Sequence, residues 1–463
     1  MYRNIAAIVC GIFLIAVMTL MACAAPAAPQ EVVKTVVVTH VVEGKPREVV
    51  ITATPPPTRD LSKEPITLRF PTWTGNEAQL KLLGDIAAEY KAKNPNVTVK
   101  FDTIAFDEYT SKVSIQLAGG DPPDAGWMVE TAAAGWIKAG VLEDLSGKLK
   151  AYPNYNFDDF SKPALGFWVR EPAVYGVPFS TSPFFIMYNA DLFKAAGVAT
   201  PDEMIAKKEW TYENFAKAAK QITEKGPKGT YGYLGIEGGN LYAANLWNVI
   251  TPFIWGYGGN LWTDDYSTCK LNVPETVKAI ELLQQMVVVD KSVVPPGETM
   301  SFASGNIGMA MGQLSRIVPL RDAKFKWGIA PTPAGPAGAK PTIGQAAVVV
   351  FKQSKNKAAA LDFVAFMTMP ENITKFAQFW PPARKSVLGT DVMSKNYPMV
   401  DPASFKAAVA DQIVAGNVVP SHPDFAKVDL TLHPFFDKVW TKDAKVQQLM
   451  DDACKAGAAY FKK

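Results

Sequence analysis

Ile66-Thr67-Leu68-Arg69-Phe70 alternates apolar and polar residues, and Ala125-Gly126-Trp127-Met128-Val129 follows the compact turn Gly119-Gly120-Asp121-Pro122-Pro123-Asp124. Between these runs, Leu80, Leu83, Ile86 and Tyr90 recur at helical spacing. Asn94-Pro95 stops that helix, because the residue before proline is biased away from the helical region. Residues 97–101 read as a second strand, and Tyr109, Val113 and Leu117 line one face of a second helix. The order strand, helix, strand, helix, strand implies an α/β fold with a mostly parallel sheet and helices on its faces. Ligands of such sheets sit at the carboxyl ends of the strands, beside helix N-termini. Trp73, Thr74, Gly75 and Asn76 fall there after the first strand, and Trp127 and Glu130 at the third.

Composition bounds the rest. The 463 residues suggest two or three domains at about 150 residues each. With 48% hydrophobic and 20% charged residues, the chain is neither disordered nor a polytopic membrane protein. A formal charge of only +3 argues against nucleic acid as a partner. Three histidines make a histidine metal site or a catalytic triad unfavourable, and His422 and His433 lack metal-ligand spacing. No phosphate-cradling loop of the Walker type and no Gly-x-Ser-x-Gly is present. These features disfavour a metal site and a catalytic triad, but with 44 Asp and Glu a carbohydrate-active enzyme with two carboxyl groups across a cleft stays open at this point.

Upstream, Arg3 precedes an apolar run over 5–21 that is too short for a stable membrane span and ends in Leu20-Met21-Ala22-Cys23. This resembles a bacterial lipoprotein signal, which implies removal of 1–22 and lipidation of Cys23. The alternative is a plain secretory signal with Cys23 incidental, and both readings export the chain. Residues 23–64 read as an extended linker, with charges that cancel and three prolines at 55–57. The Val-rich stretch at 36–42 has β propensity but no periodic core partner, so an edge strand there is the alternative to a tether. Cys10 lies in the signal, leaving Cys269 and Cys454 in the fold; a disulfide and two isolated buried thiols both remain open.

Downstream, residues 184–188 read as a strand, and Gly197 closes a short helix begun at Asn189. Thr211 caps a helix bearing Phe215, Ala218, Ala219 and Ile222 on one face. Residues 242–259 are aromatic and glycine-rich, and Pro274 opens another helix. Trp136, Trp262 and Trp327 lie in helix or strand patterns and read as structural.

Several segments now resemble, in order, the extracytoplasmic solute-binding proteins of ABC importers, in the group that includes the maltose- and glycerol-phosphate-binding proteins. They include the turn at 118–124, Tyr175-Gly176-Val177-Pro178-Phe179, Tyr188-Asn189-Ala190-Asp191-Leu192-Phe193 and Trp210-Thr211-Tyr212. Trp327-Gly328-Ile329-Ala330-Pro331, Ser354-Lys355-Asn356-Lys357-Ala358-Ala359 and Pro382-Ala383-Arg384-Lys385-Ser386-Val387 complete the set, which spans 65–463. The resemblance implies a two-lobed periplasmic-binding-protein-like fold with three crossover segments and a ligand cleft between the lobes. Crossings are expected near 179–184, 309–314 and 354–359. They divide the chain into a first lobe of 65–180 plus 313–355 and a second of 183–310 plus 358–463. The implied role is a monomeric, non-catalytic receptor. It would be held by lipid on the outer face of the cytoplasmic membrane and deliver a sugar to ABC permease subunits. A polyol or glycerol-phosphate ligand is the alternative, in which Arg384, Arg316 and helix N-termini could neutralise a phosphate.

Sugars present flat C–H faces and rings of hydroxyls, so aromatic rings and polar side chains are the candidates. Trp73 is one, with core packing as its ordinary alternative. Thr74 and Asn76 serve either a ligand or the helix cap. Trp127 and Glu130 flank the end of the third strand. Ser180, Thr181 and Ser182 lie on the first expected crossing, where they either reach the cleft or satisfy hinge backbone. Trp247 and Trp255 are candidates for a stacking wall, against a place in the core. Gly312, at the second expected crossing, and Gly344, in a loop with Gln345, would allow close approach of a ligand. The resemblance places Arg384 on the cleft; its alternative is an internal salt bridge.

Overall fold

The computed structural model describes residues 34–42, 45–53, 64–242, 246–418 and 421–461. The expected signal and Cys23 lie outside the described residues. Within the linker, Lys34–Val42 and Lys45–Ala53 pair antiparallel, with Val38 opposite Val49 and Thr39 opposite Glu48. The extended-tether reading is corrected here: the strand alternative is what forms. The two runs pair with each other along the backbone, so no distant partner strand is needed.

The first lobe starts with Ile66–Thr72, parallel to Val97–Thr103, and the two are joined by the helix Glu77–Lys93. Asn76 caps that helix by accepting from the Gln79 amide at 3.1 Å, and Leu83, Ile86 and Tyr90 bury its inner face. Ala125–Val129 follows the glycine turn. The sheet is not mostly parallel as expected, because its central strand, Thr342–Val350, runs antiparallel to both Ala125–Val129 and Val177–Pro183. All nine residues of that strand are buried, and a mostly apolar strand buried on both faces shows no alternation to read. Gly344 and Gln345 therefore lie within a strand rather than a loop.

The second lobe holds a four-stranded sheet in the order Tyr231–Ile236, Ile307–Gly312, Phe185–Asn189, Trp327–Ala330. Tyr212–Lys225, capped by Thr211, packs on it with Phe215, Ala218, Ala219 and Ile222 inward. Phe425–Val439 and Val446–Ala456 complete this lobe through Val428, Leu432, Phe436 and Met450. A disulfide joins Cys269 to Cys454 and ties the last of these helices to the loop after Trp262. Tyr155, Phe160, Phe363 and Phe376 belong to the apolar cluster of the first lobe. That cluster continues through Phe405, Ala408 and Val409 to Phe185, Met187 and Ile329 on one face of the second sheet, so the lobes share apolar packing.

The chain passes between lobes at Pro183–Phe184 and between Ala330 and Thr342, and Asn417–Val418 belongs to the first lobe whereas the helix Phe425–Val439 belongs to the second. Two expected crossings are corrected. Residues 309–314 stay in the second lobe, because Ile307–Gly312 pairs with Phe185–Asn189, and Trp327–Ala330 returns to the same sheet. Residues 354–359 form a turn within the first lobe, where the carboxylate of Asp124 accepts from the Ser354 hydroxyl at 2.5 Å, the Asn356 amide at 3.2 Å and the Arg69 backbone at 2.9 Å. The helix that follows, Lys357–Met367, packs Phe363 against Phe70 and Tyr90. Residues 358–418 accordingly belong with the first lobe, not the second.

Candidate functional site

A cavity of about 560 Å³ lies between the lobes, within the range of small-molecule sites, about 300–1,000 Å³. Of the candidates, Trp73, Glu130, Ser180, Ser182, Gly312 and Gly344 line it. Trp73 follows its strand directly. Its ring meets Tyr109 and Trp127 edge-on, with centroids at 5.0 and 4.9 Å. Ser180 and Ser182 share one face of the strand Val177–Pro183, as period-two alternation requires.

Glu130 opens the helix Glu130–Ala139 at the carboxyl end of its strand and accepts from the Gln345 backbone N–H at 3.1 Å. Burial pushes its carboxyl up to about 7, against the opposing pull of that backbone hydrogen bond. Gly344 is the close-approach position: a Cβ there would stand 3.2 Å from Gln313 Nε2, 3.5 Å from the Phe184 ring and 3.7 Å from Glu130 Oε1. Gln313, from the second lobe, donates through Nε2 to the Ser182 carbonyl of the first at 3.2 Å.

The remaining candidates lie elsewhere. Trp127 is fully buried, stacked on Phe179 at 4.6 Å, so it backs Trp73 instead of facing the cavity. Thr74 and Asn76 serve the helix start: the Thr74 hydroxyl binds the Gln79 side chain, and Asn76 is the cap described above. Thr181 points to the opposite face of its strand from Ser180 and is wholly buried, with its N–H given to the Pro381 carbonyl. Trp247 is buried against Phe436 and donates to Asp429. Trp255 lines a different cavity.

Arg384 is the largest correction. It is 0% exposed and donates to the carbonyls of Tyr155 (2.9 Å), Asn156 (2.9 Å) and Thr368 (3.0 and 3.2 Å), with Asp159 at 3.5 Å. The rings of Tyr155 and Phe160 lie on it at 4.8 and 4.1 Å, and burial pulls its pKa down. Its side chain is a fastener within the first lobe.

The cavity also takes residues that were not candidates. On the first lobe these are Gln79, Phe106, Gln345, Phe379 and Trp380. Trp380 meets Trp127 edge-on at 5.4 Å, so Trp73 and Trp380 flank one buried indole. Gln345 accepts from Trp168 Nε1 at 2.9 Å, and its own Nε2 is buried without a partner. The second lobe adds Glu237, Asn248, Gln313 and Arg316. Both Glu237 oxygens are occupied, by the Ser301 hydroxyl (2.6 Å) and the Phe302 N–H (2.7 Å). Arg316 has no acidic partner among the described residues. Its guanidinium rests on Gly238 (φ +78°), where a Cβ would fall 2.6 Å from Nη1. The one signal for Trp380 was its place beside Pro381-Pro382 ahead of the Arg384 segment, and for Gln313 it was proximity to Gly312; Arg316 was named in the sequence only for the phosphate alternative, and it does line this cavity.

Among the described residues no cluster of His, Cys, Asp and Glu suits a metal ion, and no helix is long and apolar enough to cross a membrane. Residues 74–373 match the model of a family described as bacterial extracellular solute-binding protein. A binding protein of Brucella abortus (strain 2308) is 26% identical over 393 residues, 81% of this chain and 88% of the relative. The arabinooligosaccharide-binding protein of Bacillus subtilis (strain 168) is 26% identical over 339 residues, 69% of this chain and 72% of the relative. An ABC substrate-binding protein of Listeria monocytogenes, solved in complex with cycloalternan, superposes with a TM-score of 0.72 at 23% identity, covering 86% of this chain and 100% of that one.

Proposed function

The chain belongs to the bacterial extracellular solute-binding proteins, and from that premise we propose that it captures a sugar or oligosaccharide between its lobes and delivers it to an ABC permease. The observation that carries this reading is the pairing of surfaces in the cleft. Trp73 and Trp380 offer ring faces from one lobe, while Gln313, Asn248 and Arg316 offer donors from the other. A ligand held by both walls favours the closed arrangement of the lobes, and the permease reads that arrangement. The role is capture rather than turnover. In keeping with this, the Bacillus subtilis relative is an arabinooligosaccharide-binding protein, and the Listeria monocytogenes protein was solved in complex with cycloalternan. Lipidation at Cys23 would hold the receptor at the outer face of the cytoplasmic membrane.

The test is a melting-temperature screen of the full chain against mono- and oligosaccharides, polyols and sugar phosphates, with product analysis of each mixture. A ligand that binds only the folded form raises the melting temperature by mass action. A rise with an oligosaccharide that is recovered intact supports the reading; cleavage of the sugar refutes it. A rise confined to phosphorylated polyols would establish the second reading, which Arg316 favours because it lines the cleft without an acidic partner. Labelling by a radioactive fatty acid, lost in Cys23→Ser, tests the anchor.

A further inference from the structure

A second cavity, of about 450 Å³, opens between the same two lobes and shares no lining residue with the first. We propose that it is a separate binding site for a neutral saccharide, so that the receptor holds sugar at two places. The first lobe supplies Arg170, the second Trp255, Asn260, Trp262 and Asp264, and Ser421 comes from the segment before the helix Phe425–Val439.

Each group is prepared for a ligand in its own way. Ser421 is 4% exposed, and its hydroxyl has no partner among the described residues although the residue lines the cavity wall. A buried hydroxyl left unpaired is unfavourable, and a sugar hydroxyl bonding to it would relieve that cost. Trp255 donates through Nε1 to Asn260 Oδ1 at 3.2 Å. That bond fixes the half-exposed ring and leaves the Asn260 amide nitrogen without a partner among the described residues. Arg170 is held by the Gly166 and Val169 carbonyls at 2.9 and 2.8 Å. Asp264 is exposed, with no hydrogen bond or ion pair among the described residues. The floor is rigid, because Trp262 is buried and pairs with Cys269 of the disulfide.

The set combines a ring face, an acid, an amide, a guanidinium and a hydroxyl. It offers donors and acceptors around an apolar platform, which is the complement of a pyranose or furanose ring. One acid beside one base leaves no excess charge to select an ion. Because both lobes contribute, occupancy here also biases lobe closure.

The experiment uses the full chain labelled with 5-fluorotryptophan, with the Trp255 and Trp380 fluorine signals assigned by Trp255→Phe and Trp380→Phe. Maltotriose and arabinotriose are titrated separately. The expected result is a saturable shift of the Trp255 signal with at least one sugar. That shift persists in Trp380→Ala, which disables the first cleft, and is weakened at least about tenfold by Ser421→Ala. A Trp255 signal static to both sugars overturns the proposal, whatever the Trp380 signal does. So does a shift that disappears in Trp380→Ala, since it would then report lobe motion alone, and so does a shift indifferent to Ser421→Ala. The Trp380 signal separately reports whether the first cleft binds sugar.

Discussion

The first-lobe wall of the cleft presents Trp73, Phe106, Phe379 and Trp380, whereas the second-lobe wall presents Glu237, Asn248, Gln313 and Arg316. Yet the second lobe is not short of aromatic residues. It keeps Tyr212, Phe215, Phe253 and Trp247 in its core, with Tyr212 stacked on Phe253 at 4.1 Å. The lobes therefore differ in where they spend their rings. Toward this cleft the first lobe sets aromatic rings, backed by buried Trp127 and Phe179, beside polar groups such as Gln79 and Gln345, whereas the second lobe brings mainly hydrogen-bonding groups. On the proposed reading a sugar would meet the Trp73 and Trp380 rings only on the first lobe and the Asn248 and Arg316 side chains only on the second, so both lobes would contribute to tight binding.

The contrast between fastening and binding residues breaks most sharply at arginine. Arg384→Ala should lower stability by about 3–5 kcal/mol in denaturant unfolding, since it strands buried carbonyls and Asp159. Sugar affinity of the folded fraction should be unchanged; a loss of affinity at full stability would put Arg384 back on the cleft. Opening the second lobe's staple by Cys269→Ser with Cys454→Ser should cost about 2–4 kcal/mol, read by the same unfolding curves with and without reductant.

Smaller effects sharpen the difference between walls. Trp380→Ala should weaken sugar binding by about 2 kcal/mol, roughly thirty-fold, in calorimetric titration. Trp247→Phe, in the hidden set, should leave affinity within twofold. The smallest effect is a dependence on pH at Glu130, whose carboxyl burial raises from 4.5 to about 7. The folded state then holds the proton more tightly than the unfolded state. Stability is greatest below about 4.5 and falls as pH climbs to about 7. Glu130→Gln should flatten that fall, by about 1 kcal/mol, because the carboxyl is partly open to the cleft.

How much of this was readable in the chain depends on the range of the determining contact. The βαβ start was, because its signals are local: Asn76 caps, Asn94-Pro95 stops, and Gly119-Gly120 turns. Trp73 and Glu130 followed from their place at strand ends. Arg384 did not, because its acceptors at Tyr155, Asn156 and Thr368 are brought to it only by the tertiary fold. The crossings failed for a related reason. The central strand at 342–350 is buried on both faces and shows no periodicity, so nothing local marks where the chain re-enters the first lobe. The disulfide was left open because sequence carries no distance between Cys269 and Cys454.

The position of that central strand also sets the order in which the molecule can assemble. Ala125–Val129 and Val177–Pro183 emerge early during synthesis, but the strand between them, Thr342–Val350, arrives only after most of the second lobe. Until then both early strands display open edges, the kind of surface that invites wrong pairing. The first lobe therefore cannot close its sheet until most of the second has been made, and the second in turn waits for its last two helices, Phe425–Val439 and Val446–Ala456.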